Sequence, residues 1–328
     1  MSVCKVLRQL GVIVLSVLSL CGVAAAADAY PSKPIRVVVP FPPGGITDFV
    51  ARLVSPVAAK HLGQTIVVEN KSGVGGVLGT TQVAQAPADG YTVLLGTVSV
   101  LAINAALFQD LPYDPVKDFD SLTLATRAPN LLVVHPDVPA NSMAEFLDYL
   151  NRQPDVITFG NSGTGSSDHL LTELFWQKTG TKGVHVPFQG SAPTITNLLG
   201  GHTKASFRNL PEVAAHIESG KLRALAVASE DRLSAFPDIP TLSELGIDDA
   251  EVYSWQAFVA PKGLPAEVRA RLHNALVQGL NDEQVRKALK DRGVDAAPTE
   301  MDQFTEYQRK EIERWTAVVK AGGISPER

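Results

Sequence analysis

The chain has 328 residues, 45% hydrophobic and 19% charged, an ordinary balance for a globular protein. Its two cysteines, Cys4 and Cys21, both precede residue 28, so the rest of the chain offers no thiol nucleophile, no disulfide and no thiolate metal site. Setting aside Lys5 and Arg8 leaves 27 of the 29 basic residues against 34 acidic ones, and that acidic excess speaks against nucleic acid or an anionic membrane surface as partner.

The N-terminus reads as a secretory leader. Lys5 and Arg8 form a short positive region, residues 10–23 are apolar, and Ala24-Ala25-Ala26-Ala27-Asp28-Ala29 offers cleavage after Ala27 or Ala29. The apolar run ends in alanines rather than in a stop-transfer cluster, and the bulky Leu20 before Cys21 does not suit lipoprotein processing. The expected signal peptide is residues 1–27, and the expected location is the periplasm.

Strand-like and helix-like segments then alternate, the pattern of an α/β protein with mainly parallel sheets. A β-branched strand at 35–39 stops at Pro40. A helix follows at 47–62, with Phe49, Val50, Leu53 and Val57 on one face and a kink expected at Pro56. Residues 65–69 form a strand, 72–76 a glycine-rich turn, and a helix runs to about 86. The turn Pro87-Ala88-Asp89-Gly90 leads to a strand at 91–95. Further strands are expected at 131–134, 156–159, 184–186, 205–207 and 222–228. Between them lie helices at 142–152, 167–178 and up to Leu199. After Trp255 the texture turns helical, at 265–280, 282–292 and 301–320.

Three strand-to-helix turns carry small and hydroxyl residues. The first is Pro40-Phe41-Pro42-Pro43-Gly44-Gly45-Ile46-Thr47-Asp48, where a helix N-terminus exposes unpaired N–H groups and makes a seat for a carboxylate. A simple connecting turn is the alternative, and Asp48 reads as a structural acceptor. The second, from Gly160 to Ser166, offers Ser162, Gly163, Thr164 and Ser166 as an uncharged anion cradle. The third is Gln189-Gly190-Ser191-Ala192-Pro193. The turn Gly96-Thr97-Val98-Ser99 adds Ser99. Ligands of α/β proteins sit at the carboxyl ends of strands, so the turns reinforce one another. Arg208, after the strand at 205–207, suits a second carboxylate in forked fashion or an ordinary surface position. Trp255 reads as packing at a lobe junction.

Enzyme and metal signatures fail on spacing. Gly73-Val74-Gly75-Gly76-Val77-Leu78-Gly79 brings its last glycine one place late for a dinucleotide fingerprint. Gly160-Asn161-Ser162-Gly163-Thr164 ends in Thr where a nucleophile elbow has Gly. Ser162 and His169 have no triad context. The histidines show no zinc spacing, and Asp118-Phe119-Asp120 lacks the remainder of a calcium loop. Neither cofactor nor metal is expected.

The ordered motifs do match a family. Besides the Pro40 to Asp48 segment they are Glu69-Asn70-Lys71-Ser72-Gly73-Val74-Gly75-Gly76, Asp89-Gly90-Tyr91-Thr92 and Leu111-Pro112-Tyr113-Asp114-Pro115. Gly163-Thr164-Gly165-Ser166, His185-Val186-Pro187-Phe188-Gln189-Gly190 and Pro237-Asp238-Ile239-Pro240-Thr241 follow. The chain resembles the periplasmic substrate-binding proteins of tripartite tricarboxylate transporters, the Bug family, along nearly all of its length after the leader. The resemblance implies a two-lobed type II periplasmic binding fold of the Venus flytrap kind, with two interlobe crossovers. The lobes are expected to be 28–127 with 253–328, and 128–252. It implies capture of a carboxylate, whether dicarboxylate, amino acid or aromatic acid, by a monomer that serves integral membrane transporter subunits and is not an enzyme. The ligand loops carried over are Phe41 through Thr47, Ser162 through Ser166 and Gly190 through Ala192. Ile46 and Asn197 depart from residues common in the family. A sensor subunit for a two-component kinase and an exported serine hydrolase are the alternatives.

Overall fold

The computed structural model describes residues 30–325, so the leader reading lies outside the described residues. Residues from Lys33 onward fall in one unit, and all that follows concerns that unit.

In chain order the elements are β1 (Ile35–Val39), α1 (Ile46–Leu62), β2 (Ile66–Asn70), α2 (Val77–Ala84) and β3 (Thr92–Thr97). A π-helical turn at Ser99–Ile103 runs into α3 (Asn104–Leu107), and the long strand β4 (Phe119–Val134) follows. Then come α4 (Met143–Arg152), β5 (Thr158–Asn161), α5 (Ser167–Thr179), β6 (Val184–Pro187), α6 (Ser191–Leu199), β7 (Ala205–Asn209), α7 (Leu210–Glu218) and β8 (Arg223–Val227). The chain closes with β9 (Tyr253–Pro261), α8 (Ala266–Asn281), α9 (Glu283–Lys290), β10 (Asp295–Ala296) and α10 (Met301–Gly322).

The strands order as β2-β1-β3-β9-β4-β7-β5-β6, with β8 and β10 both pairing β4. The two arms are parallel: β1 with β2 and β3, and β5 with β6 and β7. The middle is antiparallel, because β9 runs against both β3 and β4, and β4 runs against β7 and β8. The sheet is therefore mixed rather than mainly parallel. Two long central strands run between the arms, and such strands need not obey the parallel crossover rule.

β4 defines how the halves join. It pairs β9 from Phe119 to Pro129, then changes partners and pairs β7 and β8 from Asn130 and Leu131 onward. Asn130 is 2% exposed, and its side-chain amide donates to the carbonyl of Val252, 2.9 Å away. The outgoing and returning crossings are thus fastened to each other where the sheet changes hands. Buried polar groups keep such partners because leaving one unsatisfied costs about 1–3 kcal/mol.

Local chemistry explains the helix ends. α1 begins at Gly45 without a side-chain cap and stops at Gly63, whose left-handed backbone lets its N–H reach Ala59. It continues through Pro56 as one helix. Its buried face is not the expected one: Val50, Ala51, Val54, Ser55 and Ala58 are buried, while Phe49, Leu53 and Val57 are half-buried. Small residues on that face allow α8 to approach closely. A Cβ on Gly279 of α8 would lie 3.1 Å from Val54 and 3.2 Å from its carbonyl. Elsewhere, Ser142 caps α4 through the Glu145 amide, and Asp282 caps α9 through two amides.

Candidate functional site

The segment Phe41 to Gly45 is fixed by a polar group behind it. Asp48 is 5% exposed and accepts from the Gly44 amide (3.0 Å) and from Arg52 Nε (2.9 and 3.0 Å). Asn70 donates to the Phe41 carbonyl (3.1 Å) and to Asp48 (3.0 Å), and accepts from Arg52 (2.9 Å). The Arg52 hydrogen bonds, aided by the Gly44 amide and Asn70, hold the Asp48 carboxyl below the usual carboxylate range against the opposing effect of burial. Asp48 is therefore a fastener of the loop.

The first intrahelical bond of α1 runs from Phe49 N–H to Gly45 C=O (3.0 Å). The amides of Ile46 and Thr47 precede it, at the positive end of a 17-residue helix. Both residues line a cavity of about 330 Å³, together with Phe41, Thr97, Val98 and Ser99 from the arm of β1 to β3 and Ser162, Ser166, Asp168, Arg208, Asn209 and Glu212 from the arm of β5 to β7. Asn130, Ser254, Trp255 and Gln256, from β4 and β9, line it as well. A second cavity adjoins it and shares Phe41, Ser99, Ser162 and Ser166; it adds Gly163, Thr164 and Gly190. Phe41 keeps its place because Gly76 has no side chain, where a Cβ would lie 2.7 Å from Val100 and 3.1 Å from the Phe41 ring.

The structure thus gathers Phe41, Ile46, Thr47, Ser99, Ser162, Gly163, Thr164, Ser166, Gly190 and Arg208 around two adjoining cavities. Pro43, Gly44, Gly45, Ser191 and Ala192 line neither. The Gly44 amide is spent on Asp48, and Ala192 is exposed. Pro43 and the two glycines shape the loop, and the wall itself is formed by the residues on either side of them.

Arg208 corrects its sequence reading most. It lines the cavity and is 3% exposed, so it is not a surface residue, but its terminal nitrogens are already engaged. Nη1 donates to Asp168 (2.5 Å) and to the Ser162 hydroxyl (2.8 Å); Nη2 donates to Glu212 (2.5 Å) and to the Ser191 hydroxyl. The forked face that would grasp a ligand carboxylate is filled by the chain itself. Ser162 also gives its amide and hydroxyl to Asp168, both at 2.9 Å, so part of the expected anion cradle holds an internal carboxylate. His169 Nδ1 accepts from the Gly165 amide at 2.9 Å, and its ring packs against His185.

Asp168, Glu212, Ser254 and Gln256 are absent from the sequence reading, and Thr97 entered it only within the turn that supplies Ser99. Glu212 had a signal: Arg208 and Glu212 are four apart and flank Pro211, the spacing of an ion pair at a helix start. Ser254 and Gln256 had none, because β9 itself was missed. Trp255 both packs and lines the cavity. Its indole N–H donates to Glu311 (2.9 Å), and its ring meets Phe304 and Tyr307 edge-on.

The sequence profile described as "Tripartite tricarboxylate transporter family receptor" matches residues 50–324. The chain belongs to that family. Protein BugT of Bordetella pertussis is 36% identical to this receptor over 98% of the chain and 99% of its own length. A solved structure described as that of a periplasmic transporter is 42% identical with a TM-score of 0.79, covering 90% of this chain and 99% of its own. An R. palustris protein solved with adipate is 34% identical at a TM-score of 0.79, covering 91% of this receptor and all of the other chain. These likenesses establish the two-lobed periplasmic binding fold expected from the motifs.

Proposed function

We propose that this receptor captures one small carboxylated solute between its lobes in the periplasm and presents it to the integral membrane subunits of a tripartite tricarboxylate-type transporter. One observation carries the reading. The uncapped positive end of α1 opens into a cavity whose other wall comes from the second lobe. The adipate-bound relative supports the ligand class. The leader sequence supports export, and the chain works as a monomer. Ser162 serves as a bridging hydroxyl between Asp168 and Arg208, which favours binding over hydrolysis.

Capture requires the lobes to part and close. We place the hinge at the two crossings fastened by Asn130 and Val252, dividing the chain into 28–127 with 253–328 and 128–252. Ligand bridging both lobes then shifts the population towards the closed form.

A thermal-shift screen of the protein against small carboxylates and their matching primary amides tests this reading. A ligand that binds only the folded state adds about 2.7 kcal/mol of stability at a hundred times its Kd. At least one carboxylate is expected to raise the melting temperature while its amide does not. Equal shifts for acid and amide would overturn the role of the α1 terminus.

A further inference from the structure

We infer that Asp168 and Glu212, folded around Arg208, make this receptor prefer carboxylates that also carry an ammonium group over dicarboxylates. The inference rests on the carboxylate-capture reading and narrows its substrate class. Among the described residues, Asp168, Arg208 and Glu212 are the charged ones lining the 330 Å³ cavity, and the lining of the adjoining cavity contains none. Two carboxylates against one guanidinium leave the second lobe's wall with a formal charge of −1.

Geometry shows that this charge is not a loose surface balance. Arg208 and Asp168 are 3% and 6% exposed, and both Arg208 terminal nitrogens are committed to the two acids and to hydroxyls. Two further donors are committed as well: Asp168 takes the Ser162 amide, and Glu212 accepts from the Ser191 hydroxyl (2.7 Å). The guanidinium fork and these donors already serve the chain's own carboxylates. A second carboxylate here meets net negative charge in a weakly screened site, whereas an ammonium group is matched by it.

An independent observation agrees. Gln256 is 6% exposed and lines the cavity, yet among the described residues its side-chain oxygen has no hydrogen-bond partner; the side-chain oxygen of Asn209 is in the same condition. Both are acceptors, and an N–H satisfies them where a carboxylate does not. Arg208 Nε and the hydroxyls of Thr97 and Ser254, which line the same cavity, are also unpartnered among the described residues, but each is a single donor rather than the forked pair that fixes a carboxylate. The ligand carboxylate then belongs at Ile46 and Thr47, and the ammonium faces the acids.

Calorimetric titration of the leaderless protein decides this. Succinate, glutarate and adipate are each compared with the ω-amino acid and the straight-chain α-amino acid of the same carbon count. The best amino acid is expected to bind at least about tenfold tighter than the best dicarboxylate, a factor of ten being 1.4 kcal/mol. Glu212→Gln, and separately Asp168→Asn, should shrink that ratio in variants whose melting curves show a folded protein. A dicarboxylate that binds as tightly or tighter overturns the inference and leaves carboxylate capture standing. A ratio unchanged in whichever variants fold also overturns it. Binding of none of these compounds also overturns the inference, while carboxylate capture then stands or falls with the thermal-shift screen.

Discussion

Arg208 is held between Asp168 and Glu212 with 3% of its side chain exposed. Removing the guanidinium strands the Asp168 carboxylate, itself 8% exposed, without its counter-charge. Breaking a buried pair from one side costs about 3–5 kcal/mol, so Arg208→Ala should lower the urea midpoint by that equivalent before any ligand is added. A midpoint equal to the wild type would mean that the pair does not carry the second lobe's wall. Asp48 gives a pH-dependent counterpart. Its folded carboxyl is more acidic than the unfolded one, chiefly through the Arg52 hydrogen bonds. The stability it contributes is complete above the unfolded value of about 4 and is lost as pH falls through the lower folded value. Asp48→Asn should therefore be less stable than wild type at neutral pH, and that gap should close in unfolding curves taken below about pH 4. The sequence made these residues visible one at a time. Arg208 stood out as a cation near a strand end, but its two acids come from 40 residues upstream and from a helix the periodicity did not reveal.

At the scale of elements, the sequence was most legible where composition or a wet face marks the segment. β1 and β3 are nearly all buried and were read from their apolar runs and bounding turns, while α4 and α10 follow their periodicity to within a few residues. The crossing strands were the least legible. In β4 nearly every residue is buried, so there is no alternation to read, and Pro129 and the polar Thr123, Thr126 and Asn130 imitate a loop. Those polar groups are satisfied inside the fold: the Thr123 hydroxyl reaches the carbonyl of Thr299, and Asn130 reaches Val252. β9 was hidden for the same reason. It is tied to α10 through Glu311, which accepts from Trp255 (2.9 Å), Trp315 (3.3 Å) and Arg314 (3.0 Å), and whose carboxyl burial pushes upward in pKa. Glu311→Ala leaves two buried indole N–H groups unpaired. A loss of about 2–4 kcal/mol is expected in denaturant unfolding. Ligand affinity should fall with it, because Trp255 lines the cavity.

For the whole molecule, the order of motifs carried the fold, and the chain's pairing pattern explains why. Two parallel arms each present strand ends and helix starts, and the antiparallel crossings turn those ends towards a shared cavity. Backbone loops at Phe41 to Thr47 and Ser162 to Ser166 could be found in the sequence because glycine, proline and hydroxyl residues mark them. The charge of the facing wall could not, since it depends on which side chains the crossings bring together. The central claim is that this cavity holds a carboxylate in one copy per chain. Native mass spectrometry of the protein taken from the periplasm of its own cells, followed by identification of the solute released on unfolding, tests it most directly. The account predicts a single small carboxylate bound one to one. A released solute without a carboxyl group would contradict it.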